Sequence, residues 1–324
     1  MQLSIIIPAY NCADTIENAV ASAAFCPESE IIIIDDGSTD STSEKISQLK
    51  LKYHNAKSIR QENSGPAAAR NNGIKSATGK YIMFIDSDDT FEADALKKVL
   101  SALEKDTDML IFGFRQNFMS RAEDKIYSLS SPFSVDGYYK SNLLNQVWNK
   151  AYRRDFLVRN NICFKDYRYG EDRIFNAEIL RLSPVVKSIP DVLYNYNIDK
   201  SVSLISGYIP EKFDACKVIH AHFSELCSDK NVSNYMFLKN VLSCMTVLFA
   251  DNCRLSPADK KNEINKIITD PVVISAMKEK QASAVNNIIR KIILSGNVTL
   301  NYIFAYSVGI CQKYFLPVFL KFRK

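Results

Sequence analysis

A mixed α/β fold is what this sequence predicts: a Rossmann-like, mostly parallel sheet flanked by helices, followed by a mainly helical C-terminal region. Three observations carry that expectation. Short β-branched runs alternate with helix-patterned segments through the first hundred residues, two of those runs end in aspartate clusters, and from about residue 211 the pattern turns mainly helical. Strands that are apolar throughout, separated by helices, build βαβ units whose crossovers cover both faces of a parallel sheet.

In chain order, Leu3 to Ile7 is a short buried strand stopped by Pro8, which has no backbone donor to offer a ladder. Ala13 to Ala24 is helical in composition. Ile31-Ile32-Ile33-Ile34 is a second buried strand and runs into Asp35-Asp36-Gly37-Ser38. Ser41 to Leu51 and Ala67 to Ala77 read as helices. Tyr81-Ile82-Met83-Phe84-Ile85 is a third buried strand and runs into Asp86-Ser87-Asp88-Asp89. Leu96, Val99, Leu100 and Leu103 then recur at amphipathic-helix spacing, and Met109 to Phe114 is a further strand. The middle segment, about 115 to 210, is irregular and rich in Tyr, Asn and Arg, with a helix from Glu171 to Leu182 and strands at 185–189 and 191–197. A boundary near residue 210 separates a 1–210 domain from a helical 211–324 region, although no Gly/Ser linker marks it.

Bulk properties narrow the class. A chain of 324 residues can bury a sizeable core, and 47% hydrophobic with 24% charged residues excludes a disordered adaptor. The net charge of +5 comes without one long basic block, so charge gives no footprint for nucleic acid. The eight cysteines contain no C-x-x-C pair and suggest neither a zinc site nor a small disulfide framework. They read as buried thiols in a reducing compartment. No basic stretch precedes the short N-terminal apolar run, so no signal peptide is read there and a cytoplasmic location is expected.

Ligands of open parallel sheets bind outside the carboxyl ends of the strands, which makes the two acidic strand ends the first candidates. Carboxylates as close as those of Asp86, Asp88 and Asp89 raise each other's pKa unless a cation or donors compensate. Asp86 and Asp88 together form an oxygen-only pair suited to Mn²⁺ or Mg²⁺, ions that keep waters and also take phosphate oxygens. The structural alternative is a helix start, with Asp89 and Glu92 as a capping box. Two acidic strand ends on one sheet favour a site. Asn63 to Asn71 reads as a turn entering a helix, where backbone N–H groups around Gly65 and the Arg70 side chain can face an anion. Gly-Pro before an Ala-rich helix is also an ordinary helix start. Glu171 and Asp172 offer a general base, or simply negative charge at the positive end of a helix.

As an ordered set, Ser4-Ile5-Ile6-Ile7-Pro8-Ala9-Tyr10-Asn11, Ile34-Asp35-Asp36-Gly37-Ser38-Thr39-Asp40, Gly65 to Asn71 and Asp86-Ser87-Asp88-Asp89 resemble glycosyltransferase family 2. Val147-Trp148-Asn149-Lys150-Ala151-Tyr152-Arg153-Arg154, followed by Gly170-Glu171-Asp172, extends the resemblance over about residues 3 to 205. It implies a GT-A fold, a nucleotide-sugar donor, Mn²⁺ or Mg²⁺, and direct inversion at the anomeric carbon. Carried over position by position, Pro8, Tyr10 and Asp36 line the nucleoside pocket, with Asp36 accepting from the base. Asp86 and Asp88 are the D-x-D, Asp88 being the nearer ligand to the diphosphate-bound cation. Asp172 is the base with Glu171 beside it, while Arg70, Trp148 and Lys150 lie near donor or acceptor.

On the same ground, 1–115 is the donor side and 116–210 the acceptor side. UDP is the expected carrier, a glycan or lipid-linked glycan the expected acceptor, and bacterial surface polysaccharide of capsule, O-antigen or exopolysaccharide type the expected product. The chemistry accounts for these residue types. A fixed divalent cation neutralises the diphosphate leaving group, and a carboxylate takes the proton of the attacking hydroxyl. A sugar nucleotidyltransferase would place a Gly-rich, Arg/Lys-bearing loop after the first strand, where Pro8-Ala9-Tyr10-Asn11 stands. A non-catalytic sugar-nucleotide-binding or scaffold relative would be favoured by loss of an acid, but Asp36, Asp86, Asp88 and Asp172 are all present.

The C-terminal region poses a separate question. Ile292 to Gln312 holds no charged residue yet is too polar for a confident spanning helix. Leu300, Ile303, Phe304, Val308, Cys311 and Phe315 share one helical face, Phe315 to Phe322 adds apolar surface, and Lys321-Phe322-Arg323-Lys324 is basic. Peripheral membrane contact, packing on the catalytic domain and homo-oligomerisation all fit. His220 and His222, two apart on a helix, point to different faces and are not read as metal ligands. Lys200 in the Tyr194 to Ser203 segment reads as a loop lysine.

Overall fold

A computed structural model of the chain describes residues 1–24, 26–118, 125–128, 132–198, 207–280 and 283–314. The chain divides into two compact units, one formed by 1–167 with 171–201 and the other by 168–170 with 202–324. The expectations placed on Lys200, on Phe315 to Phe322 and on the basic tail lie outside the described residues.

The first unit is a mixed sheet flanked by helices. It runs β1 (Leu3–Ala9), α1 (Ile16–Ala23), β2 (Ser29–Asp35), α2 (Thr42–Lys52), β3 (Ala56–Arg60), α3 (Gly65–Ser76) and β4 (Tyr81–Phe84). There follow β5 (Thr90–Phe91), α4 (Ala95–Ala102), β6 (Met109–Phe118), β7 (Lys125–Tyr127) and α5 (Val135–Lys140). It closes with β8 (Lys150–Arg153), α6 (Arg154–Arg159), α7 (Glu171–Leu180) and β9 (Val186–Ile198). The strand order is β3-β2-β1-β4-β8-β6-β9-β5, with β7 added on β6. β3, β2, β1 and β4 run parallel, β8 runs antiparallel between β4 and β6, and β9 pairs parallel with β6.

The isoleucine runs form the centre of this sheet because both of its faces are covered. Ile5, Ile6, Ile7 and Ile31 to Ile34 are fully buried, as are Ile82 to Phe84 in β4. α3 comes so close to β1 that a Cβ on Gly73 would lie 2.4 Å from the Ile6 side chain. Register sets the functional edge: Ala9 pairs with Asp35, and Ile85 N–H donates to Ile6 O at 3.1 Å. Both acidic segments therefore leave the sheet at the same edge.

The expected elements are present, with three informative differences. β3 was not anticipated, because an edge strand carrying Lys57 and Arg60 lacks the apolar run of a central one. β8 too carries Lys and Arg, so in the sequence it shows only as part of the 147–154 motif. The two strands expected at 185–189 and 191–197 are one, β9. Pro190 cannot donate to the ladder, and the register with β6 slips between Ile111 and Gly113 instead of breaking.

The second unit is helical: α8 (Lys212–Leu226), α9 (Lys230–Thr246), α10 (Pro257–Ile268), α11 (Pro271–Ala276), α12 (Ala284–Leu294) and α13 (Val298–Tyr314). Start signals are conventional, with Ser256 and Asp270 accepting from backbone N–H groups just ahead of Pro257 and Pro271 helices. Its core gathers Phe213, Cys216, Phe237, Val241, Met245, Ile264 and Ile293. His220 stacks on Phe237 with ring centres 4.1 Å apart, and burial pushes its imidazole down to about 4. On α13 the buried positions are Asn301 and Ala305, while Leu300 and Ile303 of the anticipated apolar face are exposed. Among the described residues no helix is long and apolar enough to cross a membrane.

Candidate active site

The loops after β1 and β2 are laced together before any ligand is considered. Asn11, at φ 47°, accepts from Thr39 N at 2.8 Å and donates its own N–H to Ser38 Oγ at 3.1 Å. Asp36 N–H donates to Ala9 O at 2.8 Å, carrying β2 past the end of β1. Pro8 is half-buried beside this loop and Tyr10 is exposed. Gly37 sits at φ 75°, where an added Cβ would also meet Asn63 N at 2.9 Å.

Asp36 is buried and caps a helix that is not its own. It accepts from Gln61 Nε2 at 2.8 Å, from Ser64 N at 2.9 Å and from Gly65 N at 2.8 Å. The helix-entry residue Ser64 makes no side-chain cap of its own. Two of the α3 N–H groups expected to face an anionic ligand, Gly65's among them, therefore serve Asp36. Among the described residues its Oδ2 receives one donor, from Gly65.

The segment after β4 divides its three aspartates by environment. Asp89 is fully buried and accepts from Tyr194 Oη at 2.7 Å and Asn197 N at 2.7 Å. Burial, then Asp86 and Asp88, push its carboxyl well above the usual range. The capping box with Glu92 does not form: α4 begins later, at Ala95, after Asp94. Tyr194 Oη also accepts from Asp86 N at 3.1 Å, so one phenol holds both ends of the turn. Asp88 is exposed, and its carboxylate takes a hydrogen bond from its own backbone N–H. The protein on its inner side and the charge of Asp86 push that carboxyl upward.

Arg70 joins this segment to the start of α7. Its side chain is buried, with one terminal nitrogen 2.9 Å from Asp86 Oδ1 and the other 3.3 Å from Asp172 Oδ1 and 3.5 Å from Glu171 Oε1. The guanidinium also lies over the Phe164 ring, 5.4 Å from its centre. Next to it, Asn71 exchanges two hydrogen bonds with the Phe164 backbone, both at 2.8 Å. Burial disfavours the Arg70 charge, but Asp172, Asp86 and Glu171 outweigh it and raise its pKa. Asp172 is pushed up to about 7: burial raises it, Arg70 opposes, and Glu171 and Asp86 add repulsion.

Trp148 and Lys150 are both buried, and the charge of Lys150 acts on Asp172. The Trp148 ring is buried, stacked on Tyr194 with centres 4.3 Å apart and on Tyr196 at 5.3 Å. Lys150 is fully buried and donates to Leu143 O at 2.7 Å, Gln146 O at 2.5 Å and Asn149 Oδ1 at 2.6 Å. Asn176 of α7 donates to the same Gln146 carbonyl at 3.0 Å, so the 143–149 loop and the helix bearing Asp172 share an anchor. Sequence reasoning missed Gln61, Tyr194 and Asn197. For Tyr194 and Asn197 the signal was the position of Tyr194-Asn195-Tyr196-Asn197 in a strand ending beside the acidic turn, which becomes visible only with the sheet order.

The donor set fits a hard divalent cation shared with a ligand. Among the described residues no three His, Cys, Asp or Glu side chains converge as a metal cage. Asp86, with one oxygen committed to Arg70, and the exposed Asp88 supply one or two carboxylates, the number Mg²⁺-type sites combine with substrate phosphates.

The profile of "Glycosyl transferase family 2" matches residues 4–164. The glycosyltransferase EpsJ of Bacillus subtilis is 26% identical over 298 residues, covering 85% of this chain and 86% of EpsJ. Residues 1–349 of S. aureus TarS, solved with UDP-GlcNAc, superpose with a TM-score of 0.71 at 19% identity, covering 97% of this chain and 92% of that one. The Pyrobaculum calidifontis mannosyltransferase PcManGT, solved with GDP-Man and Mn²⁺, gives a TM-score of 0.53 at 15% identity, covering 94% and 88%. The sheet topology is thus that of the GT-A fold, and with the ordered motifs on its ligand-binding edge the chain belongs to glycosyl transferase family 2.

Proposed function

We propose that this glycosyltransferase moves a sugar from a nucleoside-diphosphate donor to a hydroxyl of a glycan or lipid-linked glycan, with inversion and with Mn²⁺ or Mg²⁺. The observation that carries this reading is the Arg70 cluster, which draws Asp86 of the β4 turn and Glu171 and Asp172 of α7 to one guanidinium. Four acidic side chains with Asp88 against one cation leave a local excess of negative charge that suits a divalent ion. In this reading residues 1–115 form the donor side, with Pro8, Tyr10 and Asp36 around the nucleoside, and 116–210 the acceptor side. UDP is the carrier we favour, the nucleotide bound in the TarS structure. A surface polysaccharide is the product class.

The residues divide the chemistry between them. Asp86 and Asp88 hold the cation, which when bound neutralises charge on the departing diphosphate. Asp172 accepts the proton as the acceptor oxygen bonds to the anomeric carbon and the bond to the diphosphate breaks with its electron pair. A carboxylate raised to about 7 is well matched to that task near neutral pH. Glu171 and Arg70 set its charge and position. Trp148 and Lys150 act by holding β9 and the 143–149 loop.

Calorimetric titration of the chain with UDP, GDP, dTDP and CMP, with Mn²⁺ and with chelator, tests the donor site. One nucleotide should bind in a metal-dependent way, and Asp88→Asn should weaken that binding by about tenfold or more while the fold is kept. Unchanged affinity in Asp88→Asn would remove the metal assignment. Binding of none of the four would remove the donor assignment.

A further inference from the structure

The second unit carries a surface that the transfer chemistry does not use. α12 exposes Val285 and Ile288, and α13 exposes Leu300, Ile303 and Tyr306, each side chain between 44% and 57% accessible. Their opposite faces are already spent on the core through Ile293, Asn301 and Ala305. A helix apolar on both sides has more to bury than its own core accepts. The two helices meet at a turn through Gly296, and Asn301 Nδ2 reaches back to Ile292 O at 2.8 Å.

Charge identifies what covers this surface. From Lys280 to the last residue, 45 positions, the sequence holds seven Lys and Arg and no Asp or Glu. Lys291 is exposed and lies three residues beyond Ile288, on the same face of α12. A second copy would bring the acid-free helices α12 and α13, with exposed Lys291, against themselves, whereas an anionic lipid surface complements them. Among the described residues no helix is long and apolar enough to span, and helices with an exposed apolar face beside a basic residue lie in the plane of an interface.

We propose that α12 and α13 dock this protein onto an anionic bilayer, with Ile288, Leu300 and Ile303 among the acyl chains and Lys291 at the headgroups. The proposal does not rest on the donor or acceptor assignment. Co-sedimentation of the whole chain with phosphatidylcholine vesicles, with and without about 30% phosphatidylglycerol, tests it. The chain should pellet with the anionic vesicles, less so in high salt, and stay in solution with phosphatidylcholine alone. Ile288→Ser, Leu300→Ser and Ile303→Ser combined should lower the partition coefficient by about tenfold or more with an unchanged melting temperature. Lys291→Glu should weaken it by severalfold. No pelleting on anionic vesicles, equal pelleting on neutral ones, or a triple variant that pellets like the parent would each overturn the proposal. A dimer in solution that the triple variant splits would assign the surface to a second copy instead. Pelleting needs no nucleotide, so its outcome is separable from that of the titration above.

Discussion

Burial sets how Asp172 behaves, and Arg70, one positive charge facing three carboxylates, only partly opposes it. In its proposed role as base, Asp172 would act only when ionised. With its carboxyl raised to about 7, kcat/KM should fall with unit slope as pH drops through that region. Arg70, ahead of Lys150, is the larger influence favouring the ionised form, so Arg70→Gln should move this limb to higher pH. Asp172→Asn should keep metal-dependent nucleotide binding and reduce kcat by roughly 10²- to 10⁴-fold, the usual worth of a general base. Rates of sugar transfer from pH 5 to 9, alongside nucleotide titration of the variant, check both. A flat profile, or Asp172→Asn with near-parental turnover, would move the base to Glu171.

At the scale of elements, buried carboxylates tie strands and helices together. Asp36 fastens α3 to β2, and Glu30 fastens the α3–β4 turn to the far end of the sheet. Glu30 Oε1 accepts from Ser4 Oγ at 2.6 Å and from Thr78 N and Oγ1 at 2.7 Å, while Lys57 lies 2.7 Å from Oε2. Burial raises this carboxyl, but Lys57, Ser4 and Thr78 prevail and hold it at about 2, against 4.5 when unfolded. A depressed folded pKa stabilises the fold fully above about pH 4.5 and progressively less as pH falls toward 2. Glu30→Gln should cost about 3 kcal/mol at pH 7 and less than half of that at pH 3. Urea unfolding at the two pH values measures it, and an equal loss at both would refute an ionic origin. Neither carboxylate announces this role in the sequence, where Glu30 is simply the residue before an isoleucine run. What was legible there was what burial on both faces writes as unbroken apolar sequence: β1, β2 and β4, with acids at their ends. β3 and β8 were not, because edge position and buried lysine contacts let Lys and Arg stand in a strand. Asp36, Asp86 and Asp88 could be named from their strand ends; Tyr194 and Asn197 could not, since only the pairing of β9 with β5 brings them beside the acidic turn.

For the whole molecule, charge and ligand chemistry separate along the chain. The last 45 residues hold seven basic residues and no acidic ones, so the remainder has two more acidic than basic residues despite the overall +5. The acidic ligand-binding edge belongs to one compact unit, and the basic apolar helices to the other. Nucleotide with Mn²⁺ and an anionic bilayer should therefore protect different parts of the chain from hydrogen exchange. The first should slow exchange around Tyr10, Asp36, Gly65 and Asp86 to Asp89. The second should slow it from Ala284 to Cys311 and leave those loops unchanged. A ligand present at about a hundredfold excess over its dissociation constant adds roughly 2.7 kcal/mol to the state that binds it. For a unit of this size that is a rise of roughly 5–10 °C in melting temperature. Because the nucleotide contacts are assigned to the first unit alone, calorimetry should show the rise in that unit's transition while a transition of the helical unit stays in place. Protection spread evenly over both units, or a joint shift of one single transition, would mean that the two fold as one cooperative body and that ligand binding at the sheet edge is felt at the lipid-facing helices.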